Sequence, residues 1–145
     1  MNECIFCSIL AGKQTGTFVY RDDLVAVFMD IHPINIGHLL VVPISHTPGL
    51  ADLPPSVGAH MFFVAQRMAQ AIRDSGLPCE GANLFLADGR AAMQEVLHVH
   101  LHIIPRVRGD GFGLKFGARH PIHPSRAELS DAAEKIGAKI IGCRC

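Results

Sequence analysis

A stretch near residue 100 alternates histidine with apolar residues, and this alternation constrains the fold more than any other feature of the chain. The three histidines of the stretch are His98, His100 and His102. Side chains two residues apart on a β-strand lie on the same face, so the pattern predicts a strand with one imidazole face and one hydrocarbon face. We expect this strand to run from Val96 to Ile104 and to end at Pro105.

The rest of the chain alternates short apolar runs with two helical patterns. Runs at 24–28, 39–42 and 82–86 predict strands, and the stripe that follows Pro54-Pro55 predicts a long helix ending near Gly76. A capping box that begins at Ser125 predicts a C-terminal helix. We therefore predict an α+β fold in which an antiparallel sheet of about five strands is covered on one face. The length fits a single domain, 1–145.

Charge and hydropathy exclude several classes of partner. Thirteen basic and thirteen acidic residues balance to zero, which argues against a surface that follows a nucleic-acid backbone. No apolar stretch reaches the length of a bilayer span, and no secretory signal begins the chain. The sequence therefore predicts a cytoplasmic protein that binds neither nucleic acid nor membrane.

Three interpretations of the imidazole face are open. It is a solvated strand surface, a three-histidine metal site, or a nucleophilic centre in which one ring attacks phosphorus and its neighbours orient it. On a regular strand the outer two histidines are too far apart to close easily on one ion with the third. His100 has a potential imidazole partner on either side, which favours the nucleophilic interpretation.

The alternating stretch and two other segments together resemble the histidine triad family. The matching residues are His98-Val99-His100-Leu101-His102-Ile103-Ile104, Phe28-Met29-Asp30-Ile31-His32-Pro33, Gly37-His38-Leu39-Leu40-Val41-Val42-Pro43 and His46. Asp88-Gly89, Gln94 and Pro105-Arg106 extend the resemblance over nearly the whole chain. It implies a homodimeric nucleotidyl hydrolase or transferase that cleaves a phosphoanhydride, phosphoramidate or phosphoester bond of a purine nucleotide.

The resemblance also implies roles for the residues around the phosphate. His100 would form a covalent nucleotidyl intermediate, His102 would bind the phosphate and orient His100, and His38 would lie close to the same phosphate. Gln94 would bind phosphate oxygens. The chain departs from the family pattern at Ala87, where an amide residue is usual, and at Met93, where glycine is usual.

For the nucleoside, the resemblance implies a carboxylate and an apolar pocket. Asp30 would accept hydrogen bonds from the ribose hydroxyls, since a carboxylate can accept two at once. Its alternative role is that of a turn residue ahead of Pro33. The base pocket would be lined by Phe6, Phe28 and Ile31.

A C-x-x-C pair, Cys4 and Cys7, has a spacing that lets two thiolates bind one tetrahedral ion. Family members with this pair close a structural zinc site with two histidines, which here are His46 and His98. A redox pair is the alternative, although the βαβ context expected for it is absent, and two ordinary thiols are another. No site is assigned to Cys143 and Cys145.

Two functions of other classes remain beside the enzyme. One is a non-catalytic nucleotide sensor or scaffold of the same fold, which the departures at Ala87 and Met93 allow. The other is a structural zinc-binding protein whose histidines all bind metal.

Overall fold

The structure is a computed structural model that describes residues 4–118 and 120–140. The chain divides into two compact units, Met1–Phe112 and Gly113–Cys145. All five strands and the long helix belong to the first unit. The assignment of residues 1–145 to a single domain stays a prediction.

The first unit is built on one antiparallel sheet. Its strands are β1 (Phe18–Arg21), β2 (Val25–Met29), β3 (Leu39–Pro43), β4 (Gly81–Leu86) and β5 (Leu101–Arg106), in the spatial order β1-β2-β3-β5-β4. Every neighbouring pair is antiparallel. The predicted α+β class and the predicted strands at 24–28, 39–42 and 82–86 are confirmed, whereas β1 was not predicted.

The long helix α2 (Pro55–Asp74) covers one face of the sheet. Proline at its start has no N–H to lose, and Gly76 follows its end with a φ of +82°. Its buried side chains pack with the alternate residues of β2, β3 and β5 that face it. The buried helix residues are Met61, Val64, Ala65, Ala69 and Ile72. The predicted helix and its apolar stripe are therefore confirmed.

A short helix, α1 (Ile5–Leu10), covers part of the other face. Phe6 and Leu10 pack against Phe28 and Leu40, which point away from α2 because side chains alternate along a strand. The expectation that only one face is covered was therefore wrong. A six-residue helix has too little periodicity to be recognised in a sequence, and it owes its stability to packing.

The strand with the histidines is shorter than predicted, since β5 begins at Leu101 rather than at Val96. Both flanking strands make their last pairs opposite Leu101, with Val41 of β3 and Leu86 of β4. The preceding residues, with His98 and His100, therefore have no ladder to join. At its other end β5 includes Pro105, which pairs with β4 alone, so its missing N–H breaks no ladder with β3.

In the second unit, α3 (Arg126–Gly137) begins with the predicted capping box between Ser125 and Glu128 and ends before Ile140. Across residues 4–118 and 120–140, no helix is long and apolar enough to cross a membrane.

Candidate active site and metal cluster

His100 lies just before β5, and one hydrogen bond fixes which nitrogen carries the proton in its neutral ring. Its Nδ1 lies 2.7 Å from the backbone carbonyl oxygen of His98. A carbonyl oxygen can only accept, so Nδ1 carries the proton and the neutral ring keeps an unprotonated Nε2. The ring is buried, and its centroid lies 4.9 Å from that of His102. His100 therefore has the tautomer that a nitrogen nucleophile needs.

His38 and His102 form a second imidazole pair whose tautomers follow from a backbone amide. The N–H of Ile34 donates to His38 Nδ1 at 3.2 Å, which places the His38 proton on Nε2. That Nε2 lies 2.9 Å from His102 Nδ1, to which it donates. Neutral His102 therefore carries its own proton on Nε2. It can donate a hydrogen bond to an anionic ligand without being charged.

Burial favours the neutral form of both rings in this pair. Burial, together with the neighbouring His100 and His38, lowers the pKa of His102 to about 4. Burial also lowers the pKa of His38, an effect partly opposed by the Asp30 carboxylate. Asp30 Oδ2 lies 3.6 Å from His38 Nε2 and 4.0 Å from His102 Nδ1. The structure thus brings Asp30, His38, His100 and His102 together.

The two carboxylate oxygens of Asp30 have different contacts. Oδ1 accepts the N–H of His32 at 2.8 Å, which closes a turn of the kind that aspartate favours. Oδ2 faces the imidazole pair. The turn role is therefore present, and it leaves one oxygen directed to the histidine cluster.

The three residues predicted for the base pocket differ strongly in exposure. Phe6 and Phe28 are buried with ring centroids 5.5 Å apart, and the Phe6 ring lies 5.2 Å from that of His100. Ile31 is 82% exposed. Phe6 thus brings the α1 packing cluster next to His100, and Ile31 follows Asp30 on an open surface.

The side chain of Gln94 joins two loops near the histidines. Its Oε1 accepts the N–H of Gly89 at 2.8 Å, and its Nε2 donates to the carbonyl of Pro48 at 2.8 Å. Both polar ends are bound to backbone groups. Nε2 carries a second N–H, so a contact with phosphate oxygens would not require either bond to open. This role of Gln94 stays a prediction.

The four residues predicted for zinc converge in one cluster. Cys4 Sγ lies 3.5 Å from His98 Nδ1, and Cys7 Sγ lies 3.6 Å from the same nitrogen and 3.3 Å from His46 Nδ1. Sulfur and nitrogen ligands of a tetrahedral zinc ion lie about 3.6 Å apart. The spacing of the cluster therefore fits a zinc ion. Cys143 and Cys145 lie outside the described residues.

His98 has the outer contact that metal-binding histidines usually have. Its Nε2 donates to the carbonyl of Pro43 at 2.9 Å, which leaves the lone pair of Nδ1 for a metal. Burial lowers the pKa of His98, so the ring stays in the neutral form that metals require. The donor set and its geometry thus agree with a closed Cys₂His₂ site.

Met93, where the family pattern usually has glycine, has an unusual backbone conformation. Met93 has a φ of +67°, and no other non-glycine residue in 4–118 and 120–140 has a positive φ. Because this conformation costs an L-residue about 1 to 2 kcal/mol, we expect Met93→Gly to raise the free energy of unfolding by about 0.5 to 1 kcal/mol. Urea denaturation of both proteins would measure the change.

The neighbouring Ala92 is the control for this substitution. It lies in a short 3-10 turn, Arg90–Ala92, without a positive φ, so Ala92→Gly should gain nothing and lower the stability slightly. An equal gain from both glycines would contradict the explanation by backbone strain.

Phe85, which the sheet places beside the histidines, was not predicted as a site residue from the sequence. Phe85 pairs directly with His102 across β4 and β5, and their ring centroids lie 5.8 Å apart. The two runs were predicted to be antiparallel, but the sequence alone does not set their register because a loop of many residues joins them. The alternation within each run was the only available signal.

Comparison with known proteins gives consistent matches over most of the chain. A family model described as HIT domain matches residues 11–109. An uncharacterized HIT-like protein of Borreliella burgdorferi is 39% identical over 118 residues, covering 81% of this chain and 85% of that protein. The adenosine 5'-monophosphoramidase hnt1 of Schizosaccharomyces pombe is 33% identical over 138 residues, covering 94% of this chain and 98% of its own length.

Solved structures are also similar to this chain over most of its length. A member of the HIT family from Bacillus subtilis is 34% identical with a TM-score of 0.85, covering 96% of this chain and 98% of that one. A zinc-bound histidine triad family protein from Mycobacterium smegmatis is 37% identical with a TM-score of 0.73, covering 93% and 96%.

Proposed function

The chain belongs to the HIT domain family, and from that premise we propose that it is a nucleotidyl hydrolase or transferase. Its substrate would be a purine nucleotide whose 5'-phosphoryl group is joined to a leaving group by a phosphoramidate, phosphoanhydride or phosphoester bond. The observation that carries the proposal is the bond from His100 Nδ1 to the His98 carbonyl, which places the lone pair of the neutral ring on Nε2 inside a cluster of imidazoles. A relative named as an adenosine 5'-monophosphoramidase supports this choice of reaction.

The reaction takes two steps at His100. In the first, Nε2 attacks the phosphorus, a P–N bond to the imidazole forms, and the bond to the leaving group breaks; the leaving group departs with that electron pair and takes up a proton. In the second, water attacks the same phosphorus, the bond to the imidazole breaks, and nucleoside monophosphate is released. The water proton leaves to solvent, and His100 returns to its starting form.

The neighbours of His100 bind the phosphoryl group during both steps. His102 presents Nε2–H to a phosphate oxygen while remaining neutral, because its Nδ1 accepts from His38. This donor stabilises the charge that develops on the oxygen as the phosphorus is attacked. His38 thereby acts through His102 and also lies near the phosphate.

The nucleoside would lie on the side of β2. Oδ2 of Asp30 would accept hydrogen bonds from the ribose hydroxyls, while Oδ1 keeps its hydrogen bond to the N–H of His32 in the turn. Ile31 would contact the base from its exposed position, and the packed rings of Phe6 and Phe28 would line the same pocket.

A zinc ion bound by Cys4, Cys7, His46 and His98 would be structural. Four protein ligands leave no open position for a substrate, so the ion would supply stability rather than chemistry. It would join the α1 segment to the chain before β5 and fix the position of His98. We further propose that the enzyme acts as a cytoplasmic homodimer.

Incubation with adenosine 5'-phosphoramidates and with a dinucleoside polyphosphate tests the proposal. We expect release of nucleoside monophosphate, and brief incubation followed by intact mass spectrometry should detect the nucleotidyl adduct. A protein that binds these nucleotides without releasing monophosphate would be a sensor or scaffold, and the enzymatic proposal would be withdrawn.

A further inference from the structure

One row of side chains crosses the sheet from edge to edge on the face opposite α2. The cross-strand partners that form it are Phe18, Phe28, Leu40, His102 and Phe85. Residues that pair directly across antiparallel strands point to the same face. The row therefore begins with aromatic rings on β1 and β2 and ends with Phe85 on β4, immediately beyond His102.

The middle of this row is buried, whereas its ends on β1 and β4 are exposed. Phe28 and Leu40 are buried beneath α1, where the Phe6 ring contacts Phe28. Phe85 is 39% exposed, although its ring lies 5.8 Å from the imidazole of His102. An accessible aromatic surface therefore lies beside the candidate phosphate site, on the side away from α1.

The order of the strands relates the exposed ring of Phe85 to the other residues of the candidate site. Asp30 follows β2, His38 precedes β3, His102 lies on β5, and Phe85 lies on the next strand, β4. If Asp30 binds the ribose and the histidines bind the phosphate, as the proposed function has it, the nucleotide extends across the sheet from β2 to β5. The substituent on the far side of the phosphorus is then directed to β4.

From this order we propose that Phe85 is a specificity-determining residue that contacts the leaving group. The inference rests on the proposed function. A phenyl ring offers an apolar face and stacks best on another flat ring, so Phe85 selects leaving groups that carry a planar aromatic part. Small alkyl leaving groups gain little from it. The contact is expected to favour an aromatic leaving group by about tenfold in kcat/KM, the upper range for one aromatic pair.

Two adenosine 5'-phosphoramidates with amines of equal basicity test this inference. One carries an indolylethyl amine and the other a short alkyl amine, so the bond that breaks is the same and only recognition differs. In Phe85→Ala, kcat/KM for the indolylethyl compound should fall about tenfold while that for the alkyl compound changes less than about twofold. Phe85→Tyr retains the ring and should retain the preference.

Phe62 provides the matched control. It is an exposed phenylalanine on α2, which covers the other face of the sheet, and Phe62→Ala should leave both rates unchanged. Thermal unfolding and sedimentation of each variant separate a specific effect from misfolding or altered assembly.

Each other outcome overturns the inference in a recognisable way. Equal losses for both compounds in Phe85→Ala would mean that the ring positions His102 instead. An unchanged preference together with a changed oligomeric state would mean that the ring lies between two copies of the chain. If the unaltered protein released nucleotide from neither compound, the proposed function would fail, and this inference would fail with it.

Discussion

His100→Ala is expected to reduce the release of nucleoside monophosphate by at least about 10⁴-fold, because the variant has no nitrogen to attack phosphorus. The ring it removes is the one whose bond to the His98 carbonyl places the lone pair of the neutral imidazole on Nε2. Nucleotide affinity should change far less, since the ribose and phosphate contacts proposed for Asp30 and His102 remain. Turnover is measured by chromatography of the released monophosphate, and affinity by titration calorimetry.

His60→Gln is the control for a histidine change outside the cluster. His60 lies on α2 and binds Asp22 at 2.7 Å, a bond that the glutamine amide can replace. The turnover of the His60→Gln variant should match that of the unaltered protein. Undiminished turnover by His100→Ala would exclude a covalent route through this residue. Loss of bound metal from that variant would instead support a histidine cluster that serves metal.

The second large effect concerns the metal cluster. Cys4→Ser combined with Cys7→Ser should reduce the zinc content from about one ion per chain to nearly none, since two of four ligands are lost. The melting temperature should fall by about 10 °C or more, because the ion no longer stabilises the folded state. α1 is too short to be stable without its anchors. Elemental analysis and thermal unfolding measure the two quantities.

Cys79→Ser serves as the control here. The Cys79 thiol donates to the carbonyl of Gly81 at 3.1 Å and is not part of the cluster. Neither zinc content nor melting temperature should change appreciably. A zinc content unaltered by loss of both Cys4 and Cys7 would remove the proposed site.

Patterns that repeat within one segment predicted the fold well. The apolar stripe of α2 and the capping box at Ser125 each depend on residues close together in the chain, and both were confirmed. The start of β5 was wrong because it depends on where β3 and β4 end, which no local pattern reports. α1 was missed since its stability comes from packing on the sheet.

The candidate site shows the same division. The motif identified the histidines of the candidate site. The tautomers of His38 and His102, however, depend on a backbone amide at Ile34 that no motif contains. The hydrogen bonds from the Gln94 side chain to two loops likewise depend on how those loops fold, which the sequence does not report. Phe85 required the register of two strands.

His98 takes part in two sites through different atoms. Its ring points to the cysteines, whereas its main-chain oxygen holds the Nδ1–H of His100. Because that oxygen belongs to the peptide group, any amino acid at position 98 would still provide it. A substitution at position 98 would therefore change the proposed metal site while keeping the acceptor that fixes the tautomer of His100.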